Sequence, residues 1–224
     1  MTAAKASPTV LKVDFVSDIS CPWCAIGLHA LEQAAARLQS EVTLDLHFQP
    51  FELNPHMPPG GQDMGEHLQE KYGTTPAQSQ PMRDAIAERG AQLGFVFRMD
   101  PRGRIYNTFD AHRLLHWAGE EGPAGAQAAL KHALFKAYFT NGQNPSDASV
   151  LVQAAADAGL DAERARAVLA SDGFADAVRA REQFYQRQGI QSVPAVVIND
   201  RHLIQGGQPV EVFERALRQI AQEH

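Results

Sequence analysis

The pentapeptide Ser20-Cys21-Pro22-Trp23-Cys24 holds both cysteines of the chain, where a two-residue apolar period gives way to a helical one. Upstream, Leu11, Val13 and Phe15 alternate with Lys12 and Asp14, which places the apolar side chains on one face of a strand. Ser17 to Ser20 supply a short polar turn. Downstream, Cys24, Leu28, Leu31, Ala35 and Leu38 recur at steps of four, three, four and three, the inward stripe of an amphipathic helix. Proline suits the first helical position, where its missing N–H costs nothing. Pro22 as that residue makes Cys21 the N-cap.

With Cys21 as N-cap, the backbone N–H groups of Trp23 and Cys24 are free to point at its sulfur and the helix dipole adds partial positive charge. Both favour thiolate over thiol. Cys21 is the expected nucleophile. Cys24 lies on the same face and one turn deeper, where it can attack a mixed disulfide formed at Cys21, so it is the expected resolving thiol. A closed zinc site needs four ligands, and the chain has no second cysteine pair and nine histidines without an obvious partner spacing. A structural disulfide here would close a loop too short to constrain the unfolded chain much. Strand, motif and helix together favour redox chemistry.

That strand, Cys-Pro-Trp-Cys and helix, followed much later by Ser192-Val193-Pro194-Ala195-Val196-Val197-Ile198, resemble the thioredoxin superfamily. More narrowly, the chain is similar to the DsbA-like branch with a long helical insertion, and within it to the FrnE-like dithiol oxidoreductases and isomerases. Ser17-Asp18-Ile19-Ser20, Pro50-Phe51-Glu52-Leu53-Asn54-Pro55, Asn107-Thr108-Phe109-Asp110-Ala111-His112-Arg113-Leu114 and Gly206-Gly207-Gln208-Pro209 carry the likeness in the family's order. The resemblance implies an α/β, thioredoxin-like fold with a large inserted all-helical subdomain. It implies a cis Val193-Pro194 bond beside the dithiol, with Pro22, Trp23, Val193 and Pro194 bordering the substrate. Gly207 stands where alanine is common in relatives and Ser192 where glycine is, and small residues at both predict little effect.

The activity implied is that of a thiol-disulfide oxidoreductase or isomerase acting on protein or small-molecule disulfides and served by a cellular thiol reductant. No metal and no organic cofactor is expected. A sister branch, the 2-hydroxychromene-2-carboxylate isomerases and kappa-class glutathione transferases, binds glutathione and typically carries serine where Cys21 stands. A glutathione-dependent isomerase or transferase, with glutathione as co-substrate, is therefore the alternative. Retention of both cysteines favours dithiol chemistry.

A chain of 224 residues buries a substantial core as one domain or as a domain with an inserted subdomain. A net charge of −6 without a Lys/Arg run argues against nucleic acid. Met1 to Thr9 lacks a leader pattern and no stretch approaches the ~20 apolar residues of a membrane span, so neither a membrane nor an oxidising compartment is expected. The expected address is the cytoplasm, where reduction or isomerisation of disulfides is favoured over bulk oxidation. Monomer and homodimer are both left open.

Val42, Leu44, Leu46 and Phe48 alternate with polar residues and complete a parallel β-α-β unit with the first helix as crossover. Beyond the Pro- and Gly-rich Pro50 to Gly61, helices are expected over 63–71, 81–93, 108–119, 124–139, 147–158, 162–170 and 174–188. Val193 to Ile198 reads as a buried strand, His202 to Ile204 as its hairpin partner, and Pro209 opens a last helix. The expected division is a discontinuous thioredoxin-like core, 1–58 and 189–224, and a helical insertion, 59–188. Among auxiliary candidates, Asp18 either relays a proton, more plausibly for Cys24 than for Cys21, or shapes the turn. Trp23 either contacts substrate or packs on the insert. His112 and His116 are a helical turn apart, but Asn107 and His112 are better explained as structural or groove positions than as metal ligands.

Overall fold

The computed structural model describes residues 7–58, 60–98 and 103–223. Met1 to Ala6, which begin the stretch read for a leader pattern, and His224 lie outside the described residues. The strand β1 (Thr9–Ser17) runs parallel to β2 (Val42–Pro50), in register from Thr9 opposite Val42 to Ser17 opposite Pro50, with α1 (Pro22–Arg37) crossing between them. After a long helical segment the chain returns as β5 (Ala195–Ile198), antiparallel to β1, and β6 (His202–Gln205), antiparallel to β5. The sheet order is β2-β1-β5-β6, which puts β1 inside and leaves β2 at an edge.

Position in the sheet explains the burial of β1. Leu11, Val13 and Phe15 share one apolar core with Cys24, Leu28 and Leu31 of α1 and with Phe213, Leu217 and Ile220 of the final helix α9 (Val210–Ala221). The other face is covered as well: Val16 packs with Phe51, Tyr185, Ile190 and Ala195. Asp14 is buried there, accepting a 2.6 Å hydrogen bond from Gln49 Nε2.

Between β2 and β5 the chain forms β3 (Gln62–Asp63), α2 (Met64–Tyr72), α3 (Pro76–Gln92), β4 (Arg104–Ile105), α4 (Phe109–Glu121), α5 (Ala126–Phe135), α6 (Ala148–Asp157), α7 (Ala162–Leu169) and α8 (Ala175–Arg187). Three features depart from the expected pattern. The third helix begins at Pro76 and not Pro81, because Thr75 and Gln78 form a reciprocal capping box and Pro81 is accommodated inside. The helix expected to run to Phe139 stays α-helical to Phe135 and continues as one π-helical turn, Lys136–Thr140. The insert is also not purely helical, since β3 and β4 pair antiparallel. Two residues per strand are too few to show a period.

The insert docks onto the sheet through α4, α5 and α8, all packed on β2. Gln127 of α5 fastens the edge: its Oε1 accepts from the Phe48 N–H (3.0 Å), and its Nε2 donates to the carbonyls of Phe48 (3.3 Å) and Leu115 of α4 (3.0 Å). None of the described helices is long and apolar enough to cross a membrane.

Candidate active site

Cys21 is the N-cap of α1, with extended φ/ψ of −94° and 111°, and Pro22 follows as the first helical residue. Both cysteines are free thiols. Cys21 keeps 4% exposure and Cys24, a turn deeper, keeps none, so a substrate meets the first before the second. The expected capping of the Cys21 sulfur is corrected by the geometry. Among the described residues no backbone N–H bonds to it; the Cys24 N–H is taken by the Cys21 carbonyl at 3.1 Å. The thiol turns instead to the opposite loop and donates to the Val193 carbonyl at 3.7 Å. The Val193-Pro194 bond is cis. Gly27 admits this loop, since a Cβ there would lie 3.1 Å from the Pro194 ring.

Pro22 and Trp23 are half-buried beside the thiols, and Trp23 also packs against the main apolar core. The opposite loop brings its own turn close as well. A Cβ on Gly207 would stand 2.9 Å from the Trp23 carbonyl oxygen, so alanine is not an equivalent residue here.

Asp18 is fully buried behind the motif. Its carboxylate accepts from the Leu53 N–H (2.7 Å), the Ser20 N–H (3.2 Å) and the Ser20 hydroxyl (3.0 Å). His112 Nε2 lies 3.6 Å away, beyond hydrogen-bond reach but close enough for attraction. Burial pushes the carboxyl up, and His112, the Leu53 amide and Thr108 outweigh it, so Asp18 sits below the usual carboxylate range. Cys24 moves the other way: burial, then the Cys21 sulfur, raise its thiol well above the ordinary value, while Lys131 and the Asp18 backbone work against them.

Asn107 faces elsewhere. Its Oδ1 accepts from the Phe109 N–H at 2.9 Å at the start of α4, and its Nδ2 lies 3.5 Å from Glu52, which pairs with Arg179. Its contacts are those of a helix-opening residue. His116 does join His112 on one narrow crevice, against β2, but its ring lies tilted at 60° to that of Phe174, with centroids 5.8 Å apart.

One residue of this site escaped the sequence reading. Lys131, on α5, is 0% exposed, and among the described residues nothing offers its Nζ a hydrogen bond. The ammonium lies over the rings of Phe135 (4.8 Å) and Phe48 (5.9 Å) and borders the crevice shared with His112. Burial lowers it to about 8, opposed by Cys24, Asp18 and Cys21. A signal was available: Lys131, Leu134, Phe135 and Tyr138 follow the i, i+3, i+4, i+7 spacing of a buried stripe, and a lysine on such a stripe is anomalous.

A dithiol at the N-terminus of the helix that follows the central strand, faced by a cis-proline loop, is a thioredoxin-type centre. The DSBA-like thioredoxin domain matches residues 12–218, and the chain belongs to that family of thiol oxidoreductases. It is similar to the probable DsbA oxidoreductase SCO1869 from Streptomyces coelicolor, at 34% identity and a TM-score of 0.85 over 96% of this chain and 91% of the other. YwbO, an uncharacterized Bacillus subtilis protein, is 27% identical over 202 residues, which are 90% of this chain and 92% of YwbO. The cytosolic disulfide reductase DsbM from Pseudomonas aeruginosa, whose structure was solved with GSH, shares the fold at 16% identity and a TM-score of 0.63, over 94% of this chain and 99% of DsbM.

Proposed function

We propose that this protein is a thiol-disulfide oxidoreductase or isomerase in which Cys21 attacks a disulfide of a protein or small molecule and Cys24 resolves the mixed disulfide. The observation that carries the reading is the asymmetry of the pair. Cys21 sits at the outer end of α1 against the Val193 carbonyl, whereas Cys24 is sealed and its thiol raised, which suits a group that acts only after Cys21 has been engaged.

In this reading Pro22, Trp23, Val193 and Pro194 border the substrate, and Val193 offers a backbone carbonyl to an extended chain laid alongside as an added strand. The cycle needs no metal and no organic cofactor. A cellular thiol returns the pair to its reduced form, and a reducing cytoplasm makes reduction or isomerisation the net reaction. Glutathione is a candidate for that thiol, consistent with a structural relative, DsbM, having been solved with it.

The test is trapping. Mixed with a disulfide substrate, Cys24→Ser accumulates a covalent adduct and Cys21→Ser forms none, as read by mass spectrometry under non-reducing conditions. Equal trapping by both variants refutes the assignment. If Cys21→Ser keeps glutathione affinity and isomerase or transferase turnover while the wild type fails to reduce insulin, the glutathione-dependent alternative replaces it.

A further inference from the structure

We propose that Lys131, carried to the dithiol by the helical insert, is a positioning residue of the redox centre whose ammonium is the buried counter-charge of the Cys24 thiolate. The proposal rests on the dithiol reading above and assigns the insert a part in the chemistry.

The geometry isolates this charge. The side chain is wholly buried between the Phe48 and Phe135 rings, and no hydrogen-bond acceptor among the described residues meets its Nζ. The titratable groups that face it are Cys21 and Cys24 of α1, Asp18 of the preceding turn, and His112 and His116 of α4. Asp18 is not its hydrogen-bonded partner, because the carboxylate is already taken by Leu53 and Ser20 and faced by His112. Neither imidazole supplies an anion. Cys21 carries no charge once its sulfur is bonded to substrate in the mixed disulfide, so the remaining partner in the resolving step is the Cys24 thiolate, which exists only during turnover. A cation fixed in advance, in a water-poor site, stabilises a developing anion without reorganisation. The coupling is mutual: Lys131 favours the Cys24 thiolate, and Cys24 helps hold the proton on Lys131.

In the resolving step the Cys24 thiol loses its proton and its sulfur attacks the Cys21 sulfur of the mixed disulfide. The Cys21–Cys24 bond forms and the bond from Cys21 to the substrate sulfur breaks. The departing thiolate takes up a proton. The substrate disulfide has then gained two electrons and two protons and the dithiol has lost them. Lys131 keeps its proton throughout.

Lys131→Met keeps an unbranched stem between the two rings and removes the charge. Release of substrate thiol from a preformed mixed disulfide, followed in single turnover across pH, is the readout. We expect about tenfold slower release at neutral pH and a profile displaced about one pH unit upward, one unit being tenfold in thiolate. Mixed-disulfide formation by Lys131→Met in the Cys24→Ser background persists. An unmoved profile in a folded Lys131→Met protein overturns the proposal. Should that variant not fold, the Lys131 titration followed by NMR in reduced wild type and in Cys24→Ala decides: a lower midpoint without Cys24 supports the pair, and an unchanged one overturns it. Failure of the wild type to exchange disulfides at all defeats the dithiol reading separately, while the Lys131 and Cys24 titrations still report their coupling.

Discussion

Gly207 shows how narrow the tolerances around the dithiol are. An added Cβ would lie 2.9 Å from the Trp23 carbonyl oxygen and 3.3 Å from its ring, and the oxygen belongs to the first turn of α1. Gly207→Ala must therefore displace either that turn or its own loop. Overpacking of this kind costs about 1–3 kcal/mol, so thermal denaturation of the reduced protein should show a lower Tm and Trp23 fluorescence should change. An unaltered Tm and spectrum would mean that the loop yields freely. At this scale the relative depth of Cys21 and Cys24 was readable from their spacing on α1, because residues three apart share a helix face with the second one turn further along. The bonding of the Cys21 sulfur was not readable, since its partner is Val193, 172 residues along the chain.

The helix α5 is best understood as a clamp on an edge strand. Its Gln127 satisfies both the N–H and the C=O of Phe48 on β2, groups with no strand neighbour on that side among the described residues. Gln127→Leu fills similar space but leaves these backbone groups without their side-chain partners. A lost partner of a shielded polar group costs about 1–3 kcal/mol; urea denaturation should show the loss, and hydrogen exchange should quicken at the Phe48 amide. If Phe48 exchange is unchanged, the clamp is not what protects β2. Helix starts and stops were partly legible at this scale. Pro81 drew the expected start of the third helix because proline usually opens one, yet the capping box at Thr75 and Gln78 outweighs the N–H lost at Pro81. The π-helical turn after Phe135 had no signal, because an apolar stripe reads the same through it.

For the whole molecule, the buried Lys131 is a cost. Its pKa falls from 10.5 to about 8 in the folded protein, so below pH 8 the folded state holds a proton that the unfolded chain would hold more readily. The interval corresponds to about 3 kcal/mol at neutral pH. The sign follows: between pH 8 and 10.5 the unfolded chain binds more protons, so the wild type gains stability as pH rises and the penalty disappears above that range. Lys131→Met removes the penalty and should raise Tm by several degrees at pH 7, with an advantage that shrinks between about pH 8 and 10.5. A less stable Lys131→Met protein, or an advantage that does not vary with pH, would show that the lysine is stabilised in the fold by contacts outweighing its burial.

Residues near one another in the chain, or a short motif, were enough to fix the β-α-β start, the place of the dithiol at a helix N-terminus and the loop that faces it. What surrounds the thiols was settled only by packing in three dimensions. Asp18, His112 and Lys131 come from a turn and two helices of the insert, and their burial around one another depends on how α4 and α5 pack against β2. Local periodicity tells which face of a helix turns inward; it does not tell which charge on that face will meet a sulfur more than a hundred residues away.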